Sequence, residues 1–96
     1  MALKAYVLFK VSSGTEREIC RKIAEFDEVS EANIIFGEYD LIAKVQAENL
    51  QRLEEFLTNK IRSIPTVILT STMLVAREYL GKNERENKLR SKGTQG

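Results

Sequence analysis

The amino-acid sequence predicts an α+β fold in one small domain. Stretches with the two-residue period of β-strands alternate along the chain with stretches that have the period of α-helices. A chain of 96 residues buries one hydrophobic core but hardly two. An apolar fraction of 43% and a charged fraction of 30% are typical of a folded globular protein and too hydrophobic for a disordered one.

Charge and residue usage exclude several classes of function. The net charge of +1 gives no strong field, so charge balance indicates neither a nucleic acid nor an anionic membrane as a partner. Cys20 is the only cysteine, which excludes an internal disulfide and a thiolate zinc site. The absence of histidine removes the commonest general base and metal ligand, so we expect neither an enzyme nor a cofactor. No stretch resembles a signal peptide or a membrane span, and we expect a cytoplasmic protein.

The N-terminal part predicts a strand and then a helix. Residues 4–11 are rich in apolar and β-branched side chains on both faces, which is typical of a strand. Residues 12–14 interrupt this strand, and a helix is predicted to begin with a capping box that pairs Ser13 with Glu16 or Thr15 with Glu18. The helix ends at residues 27–28, and its apolar stripe consists of Ile19, Ile23 and Phe26.

The middle of the chain predicts a β-hairpin. A second strand covers residues 29–36, a turn follows at Gly37, and a third strand covers residues 41–45. Because the connection is short, the two strands are expected to be antiparallel neighbours.

The C-terminal part predicts a second helix, a last strand and a polar tail. Asn49 is the expected cap, Pro65 ends the helix, and the last strand covers residues 66–75. The apolar stripe of this helix consists of Leu50, Leu53, Leu57, Ile61 and Ile64. Residues 77–80 offer a short helical turn, and residues 81–96 are expected to form a weakly ordered polar tail to a domain of residues 1–80.

The order strand, helix, strand, strand, helix, strand is the ferredoxin-like βαββαβ plan, in which both helices cover one face of a four-stranded antiparallel sheet. The other face is expected to be too apolar for solvent, because both alternating sets of strand residues are largely apolar. We therefore expect two sheets to pack face to face in a homodimer. Candidates for the uncovered face are Tyr6, Leu8, Ile42, Ile68 and Leu74.

A longer run of residues resembles a known family. Residues 29–45, which read VSEANIIFGEYDLIAKV, are similar to the effector-binding domain of the Lrp/AsnC (feast/famine) regulators. Residues 53–57, 64–67 and 70–72 continue the resemblance through the second helix, the proline stop and the last strand. The similarity covers most of residues 5–75.

The resemblance implies a function and an assembly. Complete regulators of this family have an N-terminal helix-turn-helix, for which this chain has no room before its first strand, so we expect a stand-alone effector domain without direct DNA binding. Such domains form dimers of the α/β barrel type through their sheets. The dimers associate into tetramers or octamers, with amino acids bound at dimer–dimer contacts, and a full-length regulator of the family is a further expected partner.

The resemblance also implies a ligand site. Its expected residues lie in the hairpin turn and on the last strand, namely Gly37, Glu38, Tyr39, Asp40, Thr70, Ser71 and Thr72. Asp40 suits the ammonium group of an amino acid, and backbone N–H groups of the turn with the threonine hydroxyls suit its carboxylate. For Asp40, a hydrogen bond to the protein's own backbone is an equal alternative. Phe36 departs from the family, in which small or hydroxylated residues commonly precede this glycine, and its ring would narrow or block the pocket.

Two other classes of function remain as alternatives. An RNA-binding domain of the same topology needs aromatic side chains on both central strands, and residues 41–45 contain none. A constitutive protein-interaction domain would use the apolar face without any ligand. An enzyme of the dimeric α/β barrel type is the weakest alternative, because the acidic residues show no spacing that general acid–base catalysis requires.

Overall fold

A computed structural model describes residues 2–95, with side chains through Arg90. The four strands form one antiparallel sheet in the order β2-β3-β1-β4, and this confirms the predicted α+β, ferredoxin-like fold. The predicted domain begins at residue 1 and the predicted tail ends at residue 96, and both of these residues lie outside the described ones. The elements are β1 (Leu3–Val11), α1 (Glu16–Ala24), β2 (Val29–Ile34), β3 (Leu41–Ala47), α2 (Leu50–Phe56) with a π-helical continuation (Leu57–Ile61), β4 (Val67–Leu74) and α3 (Lys82–Gln95).

The core lies between the helices and one face of the two central strands. Residues that face each other across an antiparallel pair point to the same side of the sheet. Ala5, Val7 and Phe9 of β1 face Val45, Ala43 and Leu41 of β3, and all six are buried. The helical side chains that complete this core include Ile19, Ile23, Leu53, Phe56 and Ile61.

The first helix begins without the predicted capping box. The Thr15 hydroxyl donates to the carbonyl of Ser12 at 2.6 Å, and the Glu16 carboxylate accepts from the Gly14 N–H at 2.8 Å. Both side chains therefore bond to the preceding turn, where Gly14 has a φ of +89°. The regular helix also ends earlier than predicted, at Ala24.

The second helix has the predicted cap but a different buried stripe. The Asn49 side chain accepts from the Arg52 N–H at 2.9 Å, as expected of a cap. Phe56 is buried, whereas Leu50 is exposed and Leu57 is only half-buried. The π-helical turn, in which the Arg62 N–H donates to the carbonyl of Leu57, is wider than an α-helical turn and brings Phe56 and Ile61, five residues apart, to the same buried side.

The other face of the sheet, which α1 and α2 leave uncovered, has an apolar centre with polar surroundings and is less apolar than predicted. Its polar side chains are Lys4, Lys10, Glu31, Asn33, Lys44, Gln46 and Ser71. Tyr6, Leu8 and Ile42 lie on it, together with Leu69 and Met73 of β4. The prediction for Leu74 is wrong, since Leu74 faces Ala5 and therefore lies on the side of the helices. Ile68 lies at a register shift between β1 and β4 and is 69% exposed. Leu74 is about half exposed because α1 and α2 pack over the other strands, whereas Leu69 and Met73 are about half exposed because they lie on the uncovered face.

The C-terminal segment is helical where a weakly ordered tail was predicted, and residues 77–80 do not form the predicted helical turn. All residues from Lys82 to Arg90 are exposed. Glu84 and Glu86 precede Lys88 and Arg90 by four residues, a spacing that stabilises a helix in water. The segment before α3 is attached to β1 by an ion pair between Lys4 and Glu78 at 2.8 Å.

No helix in residues 2–95 is long and apolar enough to cross a membrane.

Candidate ligand site at the hairpin tip

The connection between β2 and β3 is longer than predicted and projects from the sheet. It spans residues 35–40, because β2 ends at Ile34 and not at Phe36. The Ile35 N–H donates to the Asp40 carbonyl at 2.9 Å and closes the base of the connection. Gly37 has a φ of +151°, which L-residues with a side chain rarely adopt, and an added Cβ would meet nothing within 4 Å. The hairpin tip, defined as residues 36–39, is therefore shaped by its backbone rather than by packing.

Asp40 fastens this tip to the central strand β1. Its N–H donates to the carbonyl of Phe9, and its Oδ2 atom accepts from the N–H of Val11, both at 2.9 Å. The side chain is half-buried. One of the two carboxylate oxygens of Asp40 therefore makes the alternative contact, a hydrogen bond to the protein's own backbone.

The hairpin tip offers hydrogen-bonding groups to a ligand. The backbone N–H groups of Gly37, Glu38 and Tyr39 donate to no acceptor within residues 2–90. The Glu38 side chain is exposed and makes no ion pair with another residue in that range, and Tyr39 is half-buried. Neighbouring N–H donors and a carboxylate are the groups that bind a zwitterion.

The predicted residues of β4 divide between the two faces of the sheet. Thr70 and Thr72 face Phe9 and Val7, so they lie on the side of the helices, where both are exposed. Ser71 faces Leu8 on the uncovered face. Thr70 and Asp40 flank the same residue of β1, which places them about 10 Å apart across two strand spacings. The structure brings Thr70 towards the hairpin tip, puts Thr72 farther along β4 and puts Ser71 on the opposite side.

Phe36 is a feature of the tip whose position the sequence pattern did not predict. Its side chain has an exposure of 103%, so no described residue covers the ring. Ile34, at the end of β2, is 44% exposed. Alternation placed Phe36 in a strand, where a large side chain packs on the sheet. The one sequence signal for its exposure is its position directly before the turn glycine.

A separate groove of about 880 Å³ lies at the other end of β3, beside α2. Its Lys60 ammonium contacts both carboxylate oxygens of Glu28 at 2.9 Å and lies 5.7 Å from the centre of the Phe26 ring. Arg52 in the same groove pairs with Glu55 at 3.2 Å. The Lys60 contact joins the π-helical continuation of α2 to the α1–β2 connection, whereas the Arg52 pair lies within α2. The two pairs account for the cations of the groove. Residues 2–90 contain no cluster of side chains able to hold a metal ion.

Comparison with known proteins decides the family. The model of the Lrp/AsnC ligand binding domain matches residues 4–84. The chain belongs to the Lrp/AsnC ligand-binding domain family. Lrp/AsnC relatives include the HTH-type transcriptional regulator FL11 of Pyrococcus horikoshii, which is 33% identical over 78 residues, covering 81% of this chain and 51% of the relative. The chain spans about half the length of the curated relatives it matches.

Solved structures of Lrp/AsnC-type domains have the same fold. The hypothetical protein PHS023 from Pyrococcus horikoshii is 42% identical, with a TM-score of 0.75 over 82% of this chain and 94% of that chain. AsnC from E. coli is 25% identical, with a TM-score of 0.78 over 83% of this chain and 54% of that chain. The resemblance in the sequence is thereby confirmed at the level of family and fold, and the names of the curated relatives are those of regulators rather than enzymes.

Proposed function

We propose that the chain is an effector-binding and oligomerisation domain of Lrp/AsnC-type regulation, which binds an amino acid or a related small metabolite where two dimers meet. The observation that carries this proposal is the one-sided cover of the sheet. Helices α1 and α2 lie on one face, while the other face exposes apolar side chains and is bordered by the C-terminal segment only at Lys4 and Lys44. The hairpin tip in turn leaves Phe36, Gly37 and Glu38 exposed. A domain built for solvent alone would not leave both features open.

The uncovered face supports a sheet-to-sheet homodimer. Tyr6, Leu8 and Ile42 form an apolar centre on β1 and β3, and Leu69 and Met73 extend it onto β4. A stable dimer buries about 800 Å² on each partner, and the face of a four-stranded sheet is of that size. The Lys44 side chain, next to Tyr6, can lay its methylene groups along this face and keep its ammonium at the rim.

The hairpin tip supports one half of a ligand site. The N–H groups of residues 37–39 suit the carboxylate of an amino acid, and Glu38 or the second oxygen of Asp40 suits its ammonium. The hydroxyl of Thr70 is the nearest donor from β4, with that of Thr72 beyond it. Ser71 lies on the face of the proposed dimer and is assigned to that contact rather than to the ligand.

A tip whose Phe36, Gly37 and Glu38 are all exposed cannot enclose a small molecule alone. The other half of the site is proposed to come from a neighbouring dimer, which gives a tetramer or a larger ring up to an octamer. A full-length regulator of the family, with the same kind of sheet and hairpin, is a second proposed partner. The proposed location is the cytoplasm, where free amino acids and such regulators meet.

A thermal-unfolding panel with the twenty amino acids, combined with light scattering, tests this function. Ligand at about a hundred times its dissociation constant adds roughly 2.7 kcal/mol to the free energy of unfolding, so a binder is expected to raise the melting temperature by several degrees. Light scattering is expected to show a dimer alone and a larger assembly with the binder. If no amino acid changes either the melting temperature or the mass, the ligand-binding function is refuted and a constitutive interaction domain remains.

A further inference from the structure

We propose that Phe36 selects the ligand, and that the site at the hairpin tip prefers an amino acid with an apolar side chain. This inference rests on the proposed function, whose site it makes more specific. The exposed ring has no partner among the described residues, although large aromatic side chains contribute most when they are covered. In the proposed assembly the ring is covered by the ligand side chain and by the neighbouring dimer.

The ring lies next to the donors that would hold the ligand carboxylate. Phe36 directly precedes Gly37, and consecutive Cα atoms are about 3.8 Å apart. A carboxylate that accepts from the N–H of Gly37 or Glu38 does so at about 2.9 Å, which keeps the Cα atom of the ligand within a side chain's length of the ring. A ligand side chain directed towards Phe36 can therefore cover its ring.

The charges of the tip narrow the class of ligand further. Asp40 already accepts from Val11, whereas Glu38 has no ion pair within residues 2–90 and is the carboxylate free to meet the ammonium. A ligand with an acidic side chain would bring a second negative charge towards Glu38, and like charges at short range disfavour binding. An apolar side chain avoids this repulsion and covers the ring, and Ile34 adds a second apolar surface at the same edge.

Calorimetric titration with leucine, methionine, serine, aspartate and lysine tests this inference. The protein is expected to bind leucine or methionine at least ten times more tightly than serine or aspartate, and more tightly than lysine, whose charged end has to stay in water. Phe36→Ala is expected to weaken leucine and methionine binding at least tenfold and to leave serine binding unchanged, while Phe36→Leu retains the preference. Because the ring contacts no described side chain, circular dichroism and the melting temperature of the ligand-free variants are expected to match the unaltered protein.

Leu50→Ala is the matched control, since Leu50 is also an exposed apolar side chain but lies at 50% exposure on α2, away from the tip. Its titrations are expected to equal those of the unaltered protein. A preference of the unaltered protein for serine, aspartate or lysine would overturn the inference. An unchanged order of affinities in Phe36→Ala would overturn it as well. In both cases the proposed ligand-binding function stands. If the unaltered protein binds none of the twenty amino acids, the proposed function fails and the inference fails with it.

Discussion

Replacing Met73 with alanine is expected to weaken the proposed sheet-to-sheet dimer by roughly ten- to a hundredfold. Met73 lies on the uncovered face opposite Tyr6 and is 49% exposed in the single chain. Full burial of a methionine side chain contributes about 1.5–3 kcal/mol, so covering the exposed half contributes roughly half of that in each copy. A two-fold interface contains this contact twice, which gives about 1.5–3 kcal/mol for the dimer, and each 1.4 kcal/mol changes the dissociation constant about tenfold.

Sedimentation equilibrium over a range of concentrations measures this change directly. Leu50→Ala removes a side chain of similar exposure, 50%, from the helical side of the molecule and is expected to leave the dissociation constant unaltered. Chemical unfolding of each variant, extrapolated to low concentration, separates weaker dimerisation from weaker folding. Equal dissociation constants for Met73→Ala and the unaltered protein, or an unaltered protein that is monomeric at micromolar concentration, would refute the proposed use of this face.

The other predictions concern the anchor of the tip and the acid stability of the C-terminal attachment. Asp40→Ala removes the acceptor of the Val11 N–H, so it is expected to lower the free energy of unfolding by about 1–2 kcal/mol. It is also expected to weaken the ligand response while the sheet dimer persists. Urea unfolding with an unchanged midpoint would contradict the anchoring role. The hydrogen bond from Lys4 holds the pKa of Glu78 below its ordinary value of 4.5. Desolvation opposes this effect, and the charges of Lys4, Lys44 and Lys88 each lower the pKa further. A carboxylate whose pKa is lowered by folding stabilises the fold above its unfolded pKa, and that contribution is lost as the pH falls through the lowered value. NMR titration is therefore expected to show Glu78 ionising below pH 4.5 and returning towards that value in Lys4→Met, and an identical titration in both proteins would contradict the ion pair.

The order of elements and one helix cap could be predicted from the sequence because each depends on local residues. The run of apolar and β-branched side chains in residues 4–11 predicted β1, and Asn49 before an apolar helical stripe predicted the start of α2. The capping box of α1 could not be predicted in the same way. Thr15 donates to the carbonyl of Ser12, and Glu16 accepts from the N–H of Gly14, both in the preceding turn. The path of that turn decides whether these bonds or those of the capping box form.

The details of the site depend on contacts between distant parts of the chain. The hydrogen bond from Val11 to Asp40 joins residues in different strands, and the short sequence around Asp40 contains no sign of it. The joint burial of Phe56 and Ile61 follows from the π-helical turn between them, which shifts the phase of a stripe that otherwise has ordinary helical spacing. The helix α3 was missed for the opposite reason, because composition alone favoured disorder while spacing between opposite charges favours a helix.

The position of Asp40 explains how the fold and the site can be separate in such a small domain. Hydrogen bonds from the Asp40 N–H to Phe9 and from the Val11 N–H to the Asp40 carboxylate hold the base of the connection against β1. Residues 36–39 therefore need little packing of their own to keep their position. The tip is consequently held firmly at its base and exposed at its end, where Phe36 and Glu38 contribute nothing to the core. Substitutions at those two positions are expected to alter the proposed ligand preference at little cost to folding, whereas a substitution of Asp40 is expected to alter both, because a displaced base would move the N–H donors of the tip.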